Sequence, residues 1–586
     1  MGKPPRQLLW VVLLFSSAVM AAQPRPSVWG ESAMTKIRPD AQPGSQAALQ
    51  LVAARNEFVS FQVGLHGGRA GLTGVSASLT ALEGPSRIEG RGITLYQEVF
   101  LDITQRSTLD STPGRWPDGL VPDTDETVGE KRRAFPFNVP AGEARGIWVD
   151  VLVPMNAPPG PYKGTVVVRA DDGYEAKVQV HLTVVDATLP STASLRTAFL
   201  LWPPHVCRAF TGTPDCGPDT LVPLLQMFHR MALEHRISLA SAFPRLPGQA
   251  TWDLPDWETF EARWGPFLDG TASSRLPGAR MTSWQYLGPA TAEGLTDFQE
   301  EARSRDWLSR AFDYVGDEPP YGISFEALAQ RGALSRQAVP EVSTLLTSTV
   351  TDLEKHDLVG LIDTLVVLVN YMEGTQPPYV GNQVERYQDF VSLPHRELWL
   401  YQSCMSQGCV AQEPALENQP GQGWPSYMID RPATKARALE WVSFLEGATG
   451  ELYYQTVGML STAWTNQFRF NGNGDGTLFY PGTPSTIGGT TAVPLPSIRL
   501  KLIRLGIQDY EWLEAVSDAG DPGFARGVAR RLIPSAWRVP DDGAAFEQAR
   551  LCLIRRYLEL TGARDMDPGL PTQCLDPADS SSPPHG

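Results

Sequence analysis

Nowhere does this sequence gather lysine and arginine into a block: 49 basic residues stand against 65 acidic ones, a formal net charge of -16. A protein that neutralises phosphates needs a basic surface, so nucleic-acid binding is excluded and a neutral or weakly charged partner fits better. Histidine is scarce, eight in 586 residues, and the scattered positions form no HExxH; no GxSxG elbow is present either. Metalloprotease and serine-hydrolase readings lose their usual support. Beyond the N-terminus there is no long apolar run and no internal repeat, so no stable membrane insertion is expected of the mature chain. Cysteine numbers only six, without a CxxC pair or a nearby histidine set, which removes the zinc reading. Neither metal nor cofactor is expected.

The cysteines that are there fall into three local pairs, Cys207 with Cys216, Cys404 with Cys409 and Cys552 with Cys574, a pairing inferred from proximity alone. Such loop-closing pairs suit an oxidising compartment. Lys3 and Arg6 precede an apolar stretch from Leu8, with Val19 and Ala21 at a cleavage site. Residues 1–21 therefore read as a signal peptide, and the protein as secreted or periplasmic. Fifty prolines and 53 glycines imply many turns, and the length implies several domains.

Residues 27–186 are strand-like. In "EFVSFQVGL" the side chains Val59, Phe61, Val63 and Leu65 share one face at period two, and Asp172-Gly173 forms a hairpin turn before Val178, Val180, Leu182 and Val184. An antiparallel β-sandwich is expected. From Leu195 the rhythm becomes short strands ("LRTAFLLW", "SLASAF", "RAFDYVGDE", "STLLTST", "LIDTLVVLVNY", "ELWLYQSC", "ELYYQTVG") alternating with helical stretches. Residues 195–516 thus read as a (β/α)8 TIM-type barrel. A doubly wound sheet is the alternative, without the phosphate-binding glycine fingerprint it usually carries. Leu502, Leu505 and Trp512 mark an apolar stripe on a helix over 496–516; 517–575 reads as a helical C-terminal extension and 576–586 as a disordered tail.

Within "FDYVGDEPP" an apolar strand ends on two carboxylates, Asp317 and Glu318. Barrel enzymes gather their active groups where strands end. Neighbours on a strand normally face opposite ways, but Gly316 permits a bulge and Pro319 stops the ladder, so both can turn to one pocket. Crowding in a partly dry site would raise one pKa and leave a general acid beside an ionised partner. An adjacent pair fits neither the usual retaining nor the inverting geometry; it fits substrate assistance, in which the sugar's own 2-acetamido oxygen attacks the anomeric carbon. The structural alternative is that Asp317 caps the next helix and Glu318 forms a salt bridge.

The chain resembles glycoside hydrolase family 123 and the wider group of secreted proteins that share its catalytic signature. "YVGDEPP", "ELWLYQSC", "NGNGDGTLFYPG" and "LPSIRLKLIRLGIQDYEWL" carry the resemblance, over roughly Leu195 to Val516. It implies an N-terminal sandwich, a (β/α)8 barrel and an exo-acting β-N-acetylgalactosaminidase. It further implies that Asp317 orients the acetamido group and that Glu318 is the acid/base. Aromatic residues near strand ends offer a sugar platform: Tyr371, Trp399, Tyr401, Tyr454 and Trp464, with Asn370, Gln402 and Gln455 as hydroxyl readers. "NGNGDGTLFYPG" opens like an EF-hand loop, but Gly482 stands where the bidentate Glu is required. It reads instead as a glycine-rich site loop, with Asp475 and Tyr480 as sugar contacts. Arg499 and Arg504 read as ion-pair partners. Two other functions remain open, a glycan-binding protein on a catalytically degenerate barrel and a glycosidase for another sugar that uses a protein nucleophile.

Overall fold

A computed structural model describes residues 25–243, 256–407, 409, 423–563, 570, 571 and 574. The expected leader, 1–21, and tail, 576–586, lie outside the described residues. All three local cysteine pairs are bonded, with Cα separations of 5.4, 5.0 and 5.6 Å.

Two sheets face each other at the N-terminal end. One runs Ser27–Ser32, Phe58–His66, Ala144–Leu152, Ile93–Ile103, Gly114–Pro122; the other is built on Ala48–Arg55, Glu175–Thr188, Gly160–Arg169, Leu72–Leu79 and Phe137–Val139. The two period-two faces read from the sequence, Val59 to Leu65 and Val178 to Val184, meet in one buried core. Gly173 takes φ 84° at the hairpin turn, where a side chain would strain the backbone. One pair departs from the antiparallel expectation: Glu175–Thr188 runs parallel to Ala48–Arg55. These strands are far apart in sequence, so no tight turn dictates their direction.

Among the described residues the following sheet has seven regular strands, one fewer than a (β/α)8 barrel, all paired in parallel. We number them β1 (Arg196–Phe199), β2 (Trp284–Gln285), β3 (Ala311–Asp317), β4 (Ser343–Thr347), β5 (Thr364–Leu368), β6 (Glu397–Tyr401) and β7 (Gly450–Tyr453); their order is β1-β7-β6-β5-β4-β3-β2. The expected strand "SLASAF" is not a regular strand: its first residues lie between β1 and β2, and the chain then turns, with Ala242 N–H donating to the Leu239 carbonyl (3.1 Å). The Phe199 N–H donates to the Ser238 carbonyl (3.0 Å), Ala240 N–H to Phe199 (3.1 Å) and Gln285 N–H to Ala240 (2.9 Å). Hydroxyls interrupt the ladder on both sides: Ser238 N–H donates to Thr197 Oγ1 (2.8 Å), and Thr282 N–H to Ser238 Oγ (2.7 Å). Ala198, Ala240, Phe312, Leu345, Val366, Trp399 and Leu452 fill one interior layer. The interior is therefore packed, and any site must lie above this layer at the C-terminal mouth.

Helix α1 (Ile498–Asp518) is wedged between sandwich and barrel and is buried almost all round, not along one stripe. Several of its polar side chains face the sandwich, while Asp509 accepts from Arg437 on the barrel side (2.7 and 2.8 Å). Arg499 grips Asp118 with two nitrogens (2.9 and 2.8 Å), while Lys501 and Arg504 both reach Asp150 at 2.8 Å. Gln508 exchanges hydrogen bonds with the N–H and carbonyl of Phe58, and Arg550, from the later helix Gly543–Thr561, pairs with Glu57. The two units are thus locked rather than tethered. Burial alone would raise the Asp150 pKa, but the charges of Arg504 and Lys501 hold it well below the usual carboxylate range. A depressed folded-state pKa means that this contribution is complete above about pH 4 and drains away as pH falls further. Asp150→Ala strands two buried cations and is expected to cost about 3–5 kcal/mol in urea unfolding at neutral pH. A loss below about 1 kcal/mol would contradict this account of the interface.

Candidate active site

Strand β3 delivers the two carboxylates by breaking its own alternation. Tyr314 pairs with Leu345, but the next paired residue is Gly316 with Leu346, followed by Asp317 with Thr347. Val315 is the extra residue of a bulge. Strict alternation would send Asp317 outward; the bulge returns it to the inward parity of Tyr314. Gly316 eases the packing there, because a Cβ would stand 2.9–3.1 Å from the side chains of Ile323, Leu328 and Leu346, which would have to shift. Glu318 then adopts φ 40°, a left-handed conformation costing a non-glycine residue about 1–2 kcal/mol. Its neighbours hold it there: the Glu318 N–H donates to Thr347 Oγ1 (2.9 Å), and the Tyr321 N–H to the Glu318 carbonyl (2.8 Å).

Both side chains consequently look into the mouth. Asp317 Oδ1 accepts from the Tyr314 hydroxyl (2.8 Å) and the Thr347 hydroxyl (2.9 Å). Glu318 Oε1 accepts from the Tyr401 hydroxyl (2.6 Å), which reaches across from the end of β6. Burial, reinforced by the nearby carboxylates, pushes Tyr314 and Tyr401 well above the usual phenol range, so both remain donors. Thr347 joins the two carboxylates, accepting from the backbone of one and donating to the side chain of the other. Neither plain structural role falls to the pair. Ser324 caps the next helix, Phe325–Ala338, and Glu318 has no cation in ion-pair range among the described residues. The expectation of a partly dry pocket does need correcting, since both carboxylates are exposed in the open mouth.

Of the other expected contacts, Tyr401 is in the mouth and Tyr371 stands near it. Tyr371 follows β5, stacks on Tyr379 (4.4 Å between ring centres) and is raised in pKa by burial, then by the charges of Tyr379 and Glu318. Asn370 donates to the Ser406 carbonyl (3.2 Å) while its Oδ1 has no partner among the described residues. Both polar atoms of the buried Gln402 are also unpartnered there. Tyr454 lies beside Asp475, whose pKa burial pushes up to about 6. Gln455 spends its oxygen on its own chain, accepting from Thr456 and Val457 N–H.

Three aromatics are placed elsewhere. Trp399 fills the barrel's interior layer and bonds downward to Glu397 at the opposite end of β6 (2.8 Å). Trp464 and Tyr480 pack on each other (4.6 Å) within a cluster that includes Val121 and Ala134 of the sandwich. The Tyr480 hydroxyl donates to Asp118 (2.7 Å), and Trp464 Nε1 to the Pro481 carbonyl (2.9 Å). They hold the two units together instead of offering a free face to a ligand. Sequence reasoning missed Tyr314 and Thr347, although Tyr314 lies inside "FDYVGDEPP" and Thr347 ends the neighbouring expected strand.

Residues 30–170 match the glycoside hydrolase 123 N-terminal domain. In fold, the chain is similar to a family 123 glycoside hydrolase from Clostridium perfringens whose structural analysis concerns glycolipid glycan hydrolysis. That likeness has a TM-score of 0.62 at 14% identity and covers 92% of this chain and 97% of that one. A family 39 glycoside hydrolase from Bacteroides cellulosilyticus WH2 matches with a TM-score of 0.29 at 11% identity, over 74% and 80% of the two chains, too slight to carry an argument. No curated protein matches. Residues 30–170 in sequence, and 92% of the chain in fold, resemble family 123.

Proposed function

We propose that the chain is an exported glycoside hydrolase that removes terminal β-linked N-acetylhexosamine, N-acetylgalactosamine favoured, by a substrate-assisted retaining mechanism. One observation carries the reading: a bulge and a left-handed glutamate bring two adjacent carboxylates into one barrel mouth. The acetamido carbonyl oxygen attacks the anomeric carbon as the glycosidic bond breaks, and Glu318 gives its proton to the departing oxygen. Asp317 holds the amide N–H and stabilises the positive charge of the cyclised intermediate. Glu318, now a base, takes a proton from water, which opens the ring with overall retention. The bound sugar itself supplies the desolvation that the open mouth lacks. Tyr371, Tyr401 and Tyr454 are the ring and hydroxyl contacts this reading keeps, with Asn370, Gln402 and Asp475 as polar ones. The test is a panel of chromogenic β-glycosides with and without a 2-acetamido group. Turnover of the acetamido members alone supports the reading, and equal turnover of both sets removes it.

Thr347 should matter to both carboxylates at once. Thr347→Val is expected to cost about 1–2 kcal/mol of stability, because it leaves the Glu318 N–H without its acceptor, and to lower kcat about ten-fold. Thr347→Ser should restore both. Equal behaviour of the two variants in urea unfolding and turnover would show that the hydroxyl is not needed.

Export rests on the basic and apolar start of the sequence and on three disulfides, which suit an oxidising compartment. Exported protein should begin near Ala22 by intact mass and contain no alkylatable thiol. Six reactive thiols in native material would overturn this.

A further inference from the structure

Among the described residues, nine large apolar side chains are exposed, and six of them (Trp202, Tyr321, Tyr371, Val380, Met405 and Phe470) lie on loops that follow the C-terminal ends of barrel strands. Exposed apolar groups scattered singly need no explanation; a concentration around one opening marks a binding surface. Two of the six are set up as flat faces. Trp202, 60% exposed, follows β1 and is backed by the His205 ring, 6.0 Å away and inclined by only 22°. Phe470 follows β7, is 49% exposed, and sits at φ 46° with Asn471 at φ 63° beside it. Consecutive left-handed residues, one of them aromatic, are costly, and here they keep an apolar ring in solvent.

Arg469 lies between these faces and the barrel. Its guanidinium is 4.9 Å from the Phe470 ring and 5.8 Å from that of Tyr454, and it makes no hydrogen bond or ion pair among the described residues. Its charge lies near Asp475 and His205, and its N–H groups have no hydrogen-bond acceptor among the described residues. Tyr454, the residue that follows β7, lies 6.0 Å from the Phe470 ring and anchors this group at the β7 end, so the strand order places it relative to the carboxylates. With the 238–240 segment in the eighth place, β7 is four places from β3 in either direction, directly across the mouth, and β1 is next to β7.

We propose that Trp202, Phe470 and Arg469 form a leaving-group subsite that binds the sugar ring next to the scissile bond. The proposal rests on the glycosidase reading above. Glu318 delivers its proton to the glycosidic oxygen, so whatever that oxygen carries must lie over the rim, and these are rim groups facing the acid. Carbohydrate is the occupant that the chemistry favours over lipid. Flat aromatic faces and a guanidinium match the C–H face and the hydroxyls of a pyranose, whereas an acyl chain is better served by a continuous aliphatic patch.

The full chain and its Trp202→Ala and Phe470→Ala variants would be assayed on the N-acetylgalactosaminyl-β-galactose disaccharide, with a monosaccharide thiazoline as a probe of the first sugar position alone. Each variant is expected to lose about ten-fold in kcat/KM on the disaccharide, in line with one lost stacking contact, while thiazoline affinity and Tm hold. Wild-type disaccharide turnover in both variants, with thiazoline still bound, overturns the subsite and leaves the glycosidase reading standing. No thiazoline binding by the wild type overturns the reading on which the subsite depends. If turnover falls only when the same sugar is presented on a glycolipid micelle, the rim is a lipid contact and the carbohydrate assignment is wrong.

Discussion

Glu318→Gln is expected to slow cleavage of an unactivated sugar leaving group by a factor on the order of 10² to 10⁴, and to slow an activated aryl glycoside much less. The difference follows from the role, since a good leaving group departs without a proton. The substitution keeps side-chain length and leaves an oxygen to accept from the Tyr401 hydroxyl, now 2.6 Å from Oε1. Fold and backbone strain at φ 40° should therefore persist, and the loss should appear in kcat rather than in Tm. Steady-state kinetics on paired substrates decide it. Equal losses on both would remove Glu318 from the acid role.

Asp317→Asn should lower kcat by about 10² to 10³, the size expected when one preorganised electrostatic partner of a developing charge is removed. Asparagine can still accept from Tyr314 and Thr347, which bond Asp317 Oδ1 at 2.8 and 2.9 Å, so the geometry survives and only the charge goes. The variant should also lose affinity for a mimic of the cyclised intermediate in proportion to its lost turnover. Turnover loss with undiminished affinity for the mimic would mean that Asp317 acts elsewhere on the path.

How much of this was legible beforehand depended on whether the information was local. The carboxylate pair, the glycine that permits a bulge and the proline stop all sit in nine consecutive residues, so the central feature could be read. Which aromatic faces a ligand could not. Trp399 and Tyr401 share inward parity on one strand, but Trp399 lies one layer deeper and is consumed by packing. Trp464 and Tyr480 are decided by the docking of the sandwich, through contacts with Val121, Ala134 and Asp118 that no local pattern encodes. The same docking explains helix α1: Arg499 and Arg504 read as ion-pair partners in sequence, but their partners Asp118 and Asp150 lie in the sandwich, where no local pattern points to them. The two-residue strand Trp284–Gln285 is too short to leave a periodic signal, and "SLASAF" lost regular pairing because serine and threonine hydroxyls replace backbone partners.

The central claim is that the substrate, not the protein, supplies the nucleophile. A thiazoline carries the fused ring of the cyclised intermediate and cannot be hydrolysed along the same path, so a pocket built for that species should hold it far more tightly than the parent sugar. Measured inhibition of the wild-type enzyme by the N-acetylgalactosamine thiazoline is expected to exceed that by free N-acetylgalactosamine by a factor on the order of 10² or more. Covalent labelling of a carboxylate by a 2-fluoro glycoside, with no inhibition by the thiazoline, would place the nucleophile on another strand and contradict the account.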